Sequence, residues 1–369
     1  MSASGGKRIL ILYTSIGLGH KYIAENVGYY LSRLGFEVLL HDAHKVQDGS
    51  TVVGGTKLYA FILGKVPFVW EFLYNSKIFL FLSLPLRIRV AAFNFEKTLK
   101  KVNELNPDII ITTQTSASSV IAYLKKKNLY KGKFGIAFSD FHLHRYWMYD
   151  PYADFYLANV EEQKQEMIAL GVPPNKIFVS GIPMRSKKEI DAPTLRKKLD
   201  ISENQKVVLM ASGSQGTGID ENLISKFLAH PQIKIIVVCG KNKQLYEELK
   251  PKFDGTNVVI LAFYSPMEEL YAIADIFITK AGGLSVAEGL YWNLPIIISH
   301  LLPGQEQHNY NYLLEKELVM PKPKNLVEEV LEEVKTGKFR QKLKANSAAQ
   351  NLFNRTQNIE LAVTAQYKK

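Results

Sequence analysis

Short apolar runs alternate with stretches of helical period along the whole chain. In the first half the runs fall at Arg8–Tyr13, Glu37–His41, Ile109–Thr113, Lys133–Phe138, Phe155–Ala158 and Ile177–Val179. Strands buried on both faces read this way, so the pattern predicts a parallel sheet covered by helices. Between the first two runs, Ile23, Val27, Tyr30 and Leu31 share one stripe of a helix over Tyr22–Arg33, and Gly35 stands where that helix stops. This is a βαβ unit. The second half repeats the theme at Val207–Met210, Lys234–Val238, Val258–Ile260, Ile276–Thr279 and Ile296–Ser299. A polar, basic stretch from Arg185 to Asp200 separates the halves and predicts the linker. The expected fold class is therefore α/β, with two Rossmann-like doubly wound domains over residues 1–187 and 188–369. The last helical stretch, Phe339–Gln366, can pack on either.

Composition narrows the chemistry. With 47% hydrophobic and 22% charged residues in 369, the chain can fill two ordinary cores. A net charge of +11 favours anionic partners, whether phosphorylated small molecules, acidic lipid or nucleic acid. No nucleic-acid motif accompanies the charge, so nucleic acid is not expected as a partner. Cys239 is the only cysteine, which excludes an intrachain disulfide and a cysteine-only metal cage and fits a cytoplasmic location. Lys7 and Arg8 lead directly into the first strand rather than into a leader's apolar stretch. The aromatic segment Phe61–Phe95 is interrupted by Lys65, Pro67, Glu71, Lys77, Pro85, Arg87 and Arg89, too often for a span of roughly 20 apolar residues.

Ligands of open α/β sheets bind beyond the carboxyl ends of the strands, so the loops there are the candidates. The first strand runs into Gly17-Leu18-Gly19-His20, a glycine turn opening a helix, where backbone N–H groups favour developing negative charge. Ser139-Asp140-Phe141-His142-Leu143-His144-Arg145-Tyr146-Trp147 pairs an acid with two histidines, the equipment for accepting a hydroxyl proton. A metal held by His142 and His144 is the weaker reading, since no second ligand cluster completes it. In the second half, Ser212-Gly213-Ser214-Gln215-Gly216-Thr217-Gly218 and Lys280-Ala281-Gly282-Gly283-Leu284-Ser285-Val286-Ala287-Glu288 both suit phosphate oxygens. Glu288 adds a carboxylate for vicinal ribose hydroxyls, or else simply offsets a helix dipole. Gln305, Glu306, Gln307, His308 and Asn309 offer the mixed donors and acceptors that sugar hydroxyls require.

Taken in order, these loops resemble the monogalactosyldiacylglycerol synthase and processive diacylglycerol glucosyltransferase family, relatives of the peptidoglycan N-acetylglucosaminyltransferase. The most specific segments are Lys280–Glu288, Leu294-Pro-Ile-Ile-Ile298, Pro303-Gly-Gln-Glu306 with Asn309, and Gly181-Ile-Pro-Met-Arg185. The resemblance implies the GT-B fold and a metal-independent, inverting transfer of glucose or galactose from a uridine diphosphate (UDP) sugar to diacylglycerol, with no cofactor. It implies that Gly213, Ser214, Gly216, Gly282, Gly283, Leu284 and Ser285 hold the diphosphate, that Glu288 binds ribose and that Phe263 lies by the uracil through its backbone. Gln305, Glu306 and Asn309 then contact the sugar, and Gly17, Gly19, His144 and Trp147 lie on the acceptor side. His20 is the expected base, with Asp140 as the alternative or the group supporting the imidazolium.

Ser212–Gly216 looks more like the peptidoglycan relative, whereas Pro303–Glu306 leans towards the galactolipid enzymes. The acceptor therefore stays open between diacylglycerol and an isoprenoid-linked precursor taking N-acetylglucosamine. A protein that binds nucleotide-sugar without turnover is the reading from another class. Residues 54–95, with Trp70, Tyr59, Tyr74 and interspersed Lys and Arg, suit the interface of an anionic membrane and predict peripheral attachment at its cytoplasmic face.

Overall fold

The computed structural model describes residues 6–14, 18–43, 95–143, 151–302 and 304–367, together with Ser76, Pro85, Ile88, Ala92 and Met148. The chain divides into two compact units. One comprises Met1–Arg185, Pro303–His308 and Asn351–Lys369, the other Ser186–Leu302 and Asn309–Gln350.

The first unit is built on a parallel sheet of β1 (Arg8–Tyr13), β2 (Glu37–Asp42), β3 (Ile109–Thr112), β4 (Lys133–Ala137), β5 (Phe155–Ala158) and β6 (Ile177–Val179), in the order β2-β1-β3-β4-β5-β6. The sheet is apolar on both faces: Ile9 and Leu10 of β1, which point to opposite sides, stand beside Ile109 and Ile110 of β3. Helices Leu18–Arg33, Phe95–Leu105, Thr115–Lys126, Glu161–Ala169 and Gln357–Thr364 complete this unit among the described residues. The last packs beside β5 and β6 and against helix Leu18–Arg33.

The second unit orders its parallel sheet β11-β10-β7-β8-β9, from β7 (Lys206–Ala211), β8 (Ile233–Val238), β9 (Val258–Leu261), β10 (Ile276–Lys280) and β11 (Ile296–His300). Val208, Ile235, Val237, Ile276 and Ile278 form the centre of its core. Each strand lies within one residue of its sequence-based bounds. The C-terminal stretch expected as one helix is instead broken at Asn346. Its amide donates to Lys316 O, just past helix Gln305–Glu315, at 2.8 Å, while its Oδ1 accepts from Ala348 N at 2.8 Å to start Ser347–Asn351. A side chain that caps the start of a new helix while tied to an earlier one makes a corner where periodicity alone continues.

Strand order fixes where ligands can reach the backbone. In the first sheet the chain leaves β1 for β2 on one side and returns to β3 on the other, so the switch point lies between β1 and β3. In the second the switch point lies between β7 and β10. No helix among the described residues is long and apolar enough to cross a membrane.

Candidate functional site

At the first switch point His20 occupies the opening turn of helix Leu18–Arg33, just beyond β1. Thr113, which follows β3, donates through its hydroxyl to His20 O at 3.0 Å and ties the two loops together. Burial lowers the His20 pKa from its usual 6.5, opposed by the Asp140 charge and by a hydrogen bond with the Thr113 backbone. An imidazole held neutral at pH 7 can accept a proton. Gly19 shares the same turn.

Asp140 lies in the loop after β4, fixed by Phe138, Phe141 and Leu143, whose side chains are buried. The carboxylate is only 2% exposed and accepts from Ser139 Oγ at 3.2 Å and from Gln305 Nε2 at 2.6 Å. Gln305 opens helix Gln305–Glu315, whose first turn groups with the N-terminal unit. His308, one turn on, stacks on His142 with ring centroids 5.2 Å apart. Two side chains expected on the donor sugar and acceptor loops thus meet directly, although 165 positions separate them in sequence. Glu306 is buried in the same turn.

The loop's main chain is held by two buried carboxamides, Asn159 just after β5 and Gln163 in the first turn of helix Glu161–Ala169. Asn159 Nδ2 donates to Phe138 O at 3.2 Å and Asp140 O at 2.9 Å, and Gln163 Nε2 donates to Asp140 O and His142 O, each at 2.7 Å. Sequence reasoning passed over both residues, because an Asn and a Gln where a strand passes into a helix look like ordinary polar caps. The Gly181–Arg185 segment docks on the His20 helix: Asn26 Nδ2 donates to Pro183 O at 2.8 Å, Tyr30 Oη to Met184 O at 2.6 Å, and Arg185 pairs with Glu25 at 3.6 Å.

At the second switch point the loop after β7 forms a turn of 3-10 helix over Gly213–Gln215, closed by Gly216 in the left-handed conformation. Ser212 Oγ donates to Thr217 O across it. Gly218, at φ +82°, faces the His300 ring at the end of β11, which a Cβ there would meet at 2.2 Å. The loop after β10 starts helix Gly283–Tyr291, so the amides of Gly283, Leu284 and Ser285 occupy its open N-terminus. Lys280 runs between the two glycine turns: a Cβ on Gly213 would lie 3.2 Å from its Cε, and one on Gly282 3.7 Å from its Nζ. The sequence places this lysine at the head of the second glycine loop without assigning its charge a role.

Glu288 falls in the second turn of its helix rather than the first, so offsetting the dipole does not account for it. Tyr271 Oη donates to Glu288 Oε2 at 2.9 Å. Burial raises its carboxyl to about 7, with the Glu268 charge adding and the Tyr271 hydrogen bond opposing. Phe263, beyond β9, is 48% exposed. Asn309 is fully buried and donates through Nδ2 to Ala281 O at 2.9 Å, joining its helix to the second glycine loop. Gly17, His144, Trp147, Pro303 and residues 54–94 other than Ser76, Pro85, Ile88 and Ala92 lie outside the described residues. Among the described residues no cluster of His, Cys, Asp and Glu could hold a metal ion.

Residues 30–184 match the monogalactosyldiacylglycerol (MGDG) synthase family, and residues 207–360 match the glycosyltransferase family 28 C-terminal domain. The processive diacylglycerol beta-glucosyltransferase of Bacillus subtilis is 29% identical over 342 residues, covering 89% of this chain and 86% of that one. That of Bacillus pumilus is 28% identical over 366 residues, covering 96% and 93%. Among solved structures, the glycotransferase of kitacinnamycin superposes with a TM-score of 0.65 at 14% identity, covering 99% of each chain. A Staphylococcus aureus MnaA–UDP structure does so with a TM-score of 0.63 at 11% identity, covering 97% of this chain and 95% of that one. These structural likenesses establish the fold, two parallel-sheet domains of the GT-B class.

Proposed function

Since this chain joins an MGDG synthase domain to a glycosyltransferase family 28 C-terminal domain, we propose that it transfers a hexose from a UDP-sugar to diacylglycerol and so makes a glycolipid. The observation that carries this reading is the placement of matching chemistry at both switch points. A neutral imidazole beside a buried carboxylate stands at the first, and two glycine turns with a lysine between them stand at the second.

The amides of Gly213, Ser214 and Gly216 and those of Gly283, Leu284 and Ser285 receive the diphosphate, and Lys280 offsets its charge in place of a metal. Glu288 takes the ribose hydroxyls, with Phe263 beside the uracil. Gln305, Glu306 and Asn309 lie by the sugar. His20, neutral and at a helix start, removes the proton from the acceptor hydroxyl as that oxygen attacks the anomeric carbon and the C–O bond to the diphosphate breaks. The Asp140 carboxylate then stabilises the imidazolium, which is the direction in which its charge already acts. Attack opposite the leaving diphosphate inverts the anomeric centre.

Residues 54–95 attach the protein to an anionic membrane in this reading, through aromatics at headgroup depth and through Lys57, Lys65, Lys77, Arg87 and Arg89, each contributing on the order of 1 kcal/mol. Vesicle sedimentation should weaken as salt rises. The test of the reaction is a panel of UDP-glucose, UDP-galactose and UDP-N-acetylglucosamine against vesicles of diacylglycerol or of an isoprenoid-linked acceptor, with products read by mass spectrometry. A hexosyl lipid supports the reading. Exclusive use of the acetamido sugar on an isoprenoid-linked acceptor would replace it.

A further inference from the structure

Asp140 owes its position to its main chain as much as to its side chain. Three carbonyls in the stretch Phe138–His142 point at two carboxamides, and both lone pairs of Asp140 O are taken, by Asn159 at 2.9 Å and Gln163 at 2.7 Å. The orientation of the Gln163 amide is fixed, because its Oε1 accepts from Asn159 N at 2.7 Å and so its Nε2 must face the carbonyls. Asn159 is 3% exposed and Gln163 1%. The pair therefore forms a closed, buried network in which loss of either carboxamide leaves main-chain carbonyls short of a donor. One end of it holds Asp140, whose charge acts on His20, and the other holds His142, which stacks on the helix carrying Gln305.

We infer that Gln163 and Asn159 are positioning residues for glycosyl transfer, clamping the Phe138–His142 loop so that the Asp140 carboxylate keeps its place in the base site. The inference rests on the proposed transfer reaction, in which that carboxylate supports the imidazolium. Both residues lie remote in sequence from the glycine loops of the other unit that receive the diphosphate, so the clamp serves the base rather than nucleotide binding. A displacement of about 1 Å at such a carboxylate is enough to cost roughly a hundredfold in rate.

The experiment compares Gln163→Met and Asn159→Ala with the wild type. Each should lower kcat about 10- to 100-fold while the KM for UDP-sugar changes less than about twofold. His20 should titrate at lower pH in both variants, followed by NMR of its ring, because a relaxed loop withdraws the Asp140 charge that raises it. Wild-type kcat with an unmoved His20 titration overturns the inference, as does a KM rise that accounts for the whole loss. If neither variant folds, the pair is a folding element and the inference also fails. Should the wild type transfer no sugar at all, the reaction assignment falls, while the ring titration still decides whether the clamp holds Asp140 in place.

Discussion

Donor binding should depend on pH through Glu288. Its carboxyl, pushed up to about 7 by burial, is half ionised at neutrality in the free protein. Ribose hydroxyls donate to the carboxylate far better than to the neutral acid, so UDP-sugar binding draws the group towards its charged form. Raising the pH from about 6 to about 8 takes the ionised fraction from about a tenth to about nine-tenths, which is about a tenfold gain in affinity, or about 1.4 kcal/mol. At pH 7 binding should release about half a proton, measurable by titration calorimetry in two buffers of different ionisation enthalpy. UDP-glucose is the ligand of choice, since its diphosphate diester does not titrate in this window. Tyr271→Phe removes the hydrogen bond that holds the carboxyl down, so it should move the affinity midpoint to higher pH. Glu288→Gln should abolish both the pH slope and the proton release. The same shift makes the free protein lose stability as pH rises from the ordinary 4.5 through about 7, because the folded state holds the proton longer than the unfolded chain. Affinity that is flat from pH 6 to 8, with no proton release, would refute this placement of Glu288.

His20→Ala should cut kcat by about 10² to 10⁴ with UDP affinity unchanged, as steady-state kinetics and calorimetry will show. In the wild type the acid limb of kcat/KM should fall below pH 6.5, the direction in which burial moves His20. Gln305→Leu leaves the buried Asp140 carboxylate without its 2.6 Å donor and should destabilise the protein by about 1.5–3 kcal/mol in urea melts. Gly218→Ala puts a methyl 2.2 Å from the His300 ring at a left-handed φ, so it should cost about 1–3 kcal/mol of stability and weaken UDP binding.

Much of the fold is written in the sequence because both sheets are parallel and covered. Strands such as Ile233–Val238 are buried along their full length, and even Lys234 is 4% exposed, with Asp200 3.6 Å from its ammonium. Such runs admit few alternatives. Loops that follow them at the switch points could be found the same way, since strand order alone makes them ligand-facing. The connection of Gln305 to Asp140 had no such signature, being a single amide–carboxylate bond between distant segments. The Asn159–Gln163 clamp was hidden for a different reason: its bonds go to main-chain carbonyls, so its partners' side chains leave no trace. Lys280 could be read as the first residue of a glycine loop, and only the approach of Gly213 and Gly282 shows where its ammonium lies. The broken C-terminal helix escaped periodicity because Asn346 acts through capping bonds, not through hydrophobic spacing.

The central claim is sugar transfer to a lipid alcohol, and one time course tests it most directly. Purified protein, UDP-glucose carrying a labelled hexose and vesicles of diacylglycerol with anionic phospholipid are incubated together, and the lipid phase is extracted at intervals. The expected result is label accumulating in a hexosyl diacylglycerol of inverted anomeric configuration, at a rate lost on His20→Ala substitution. Release of UDP with the label remaining in water, or no turnover with any UDP-hexose on this acceptor, would contradict the account.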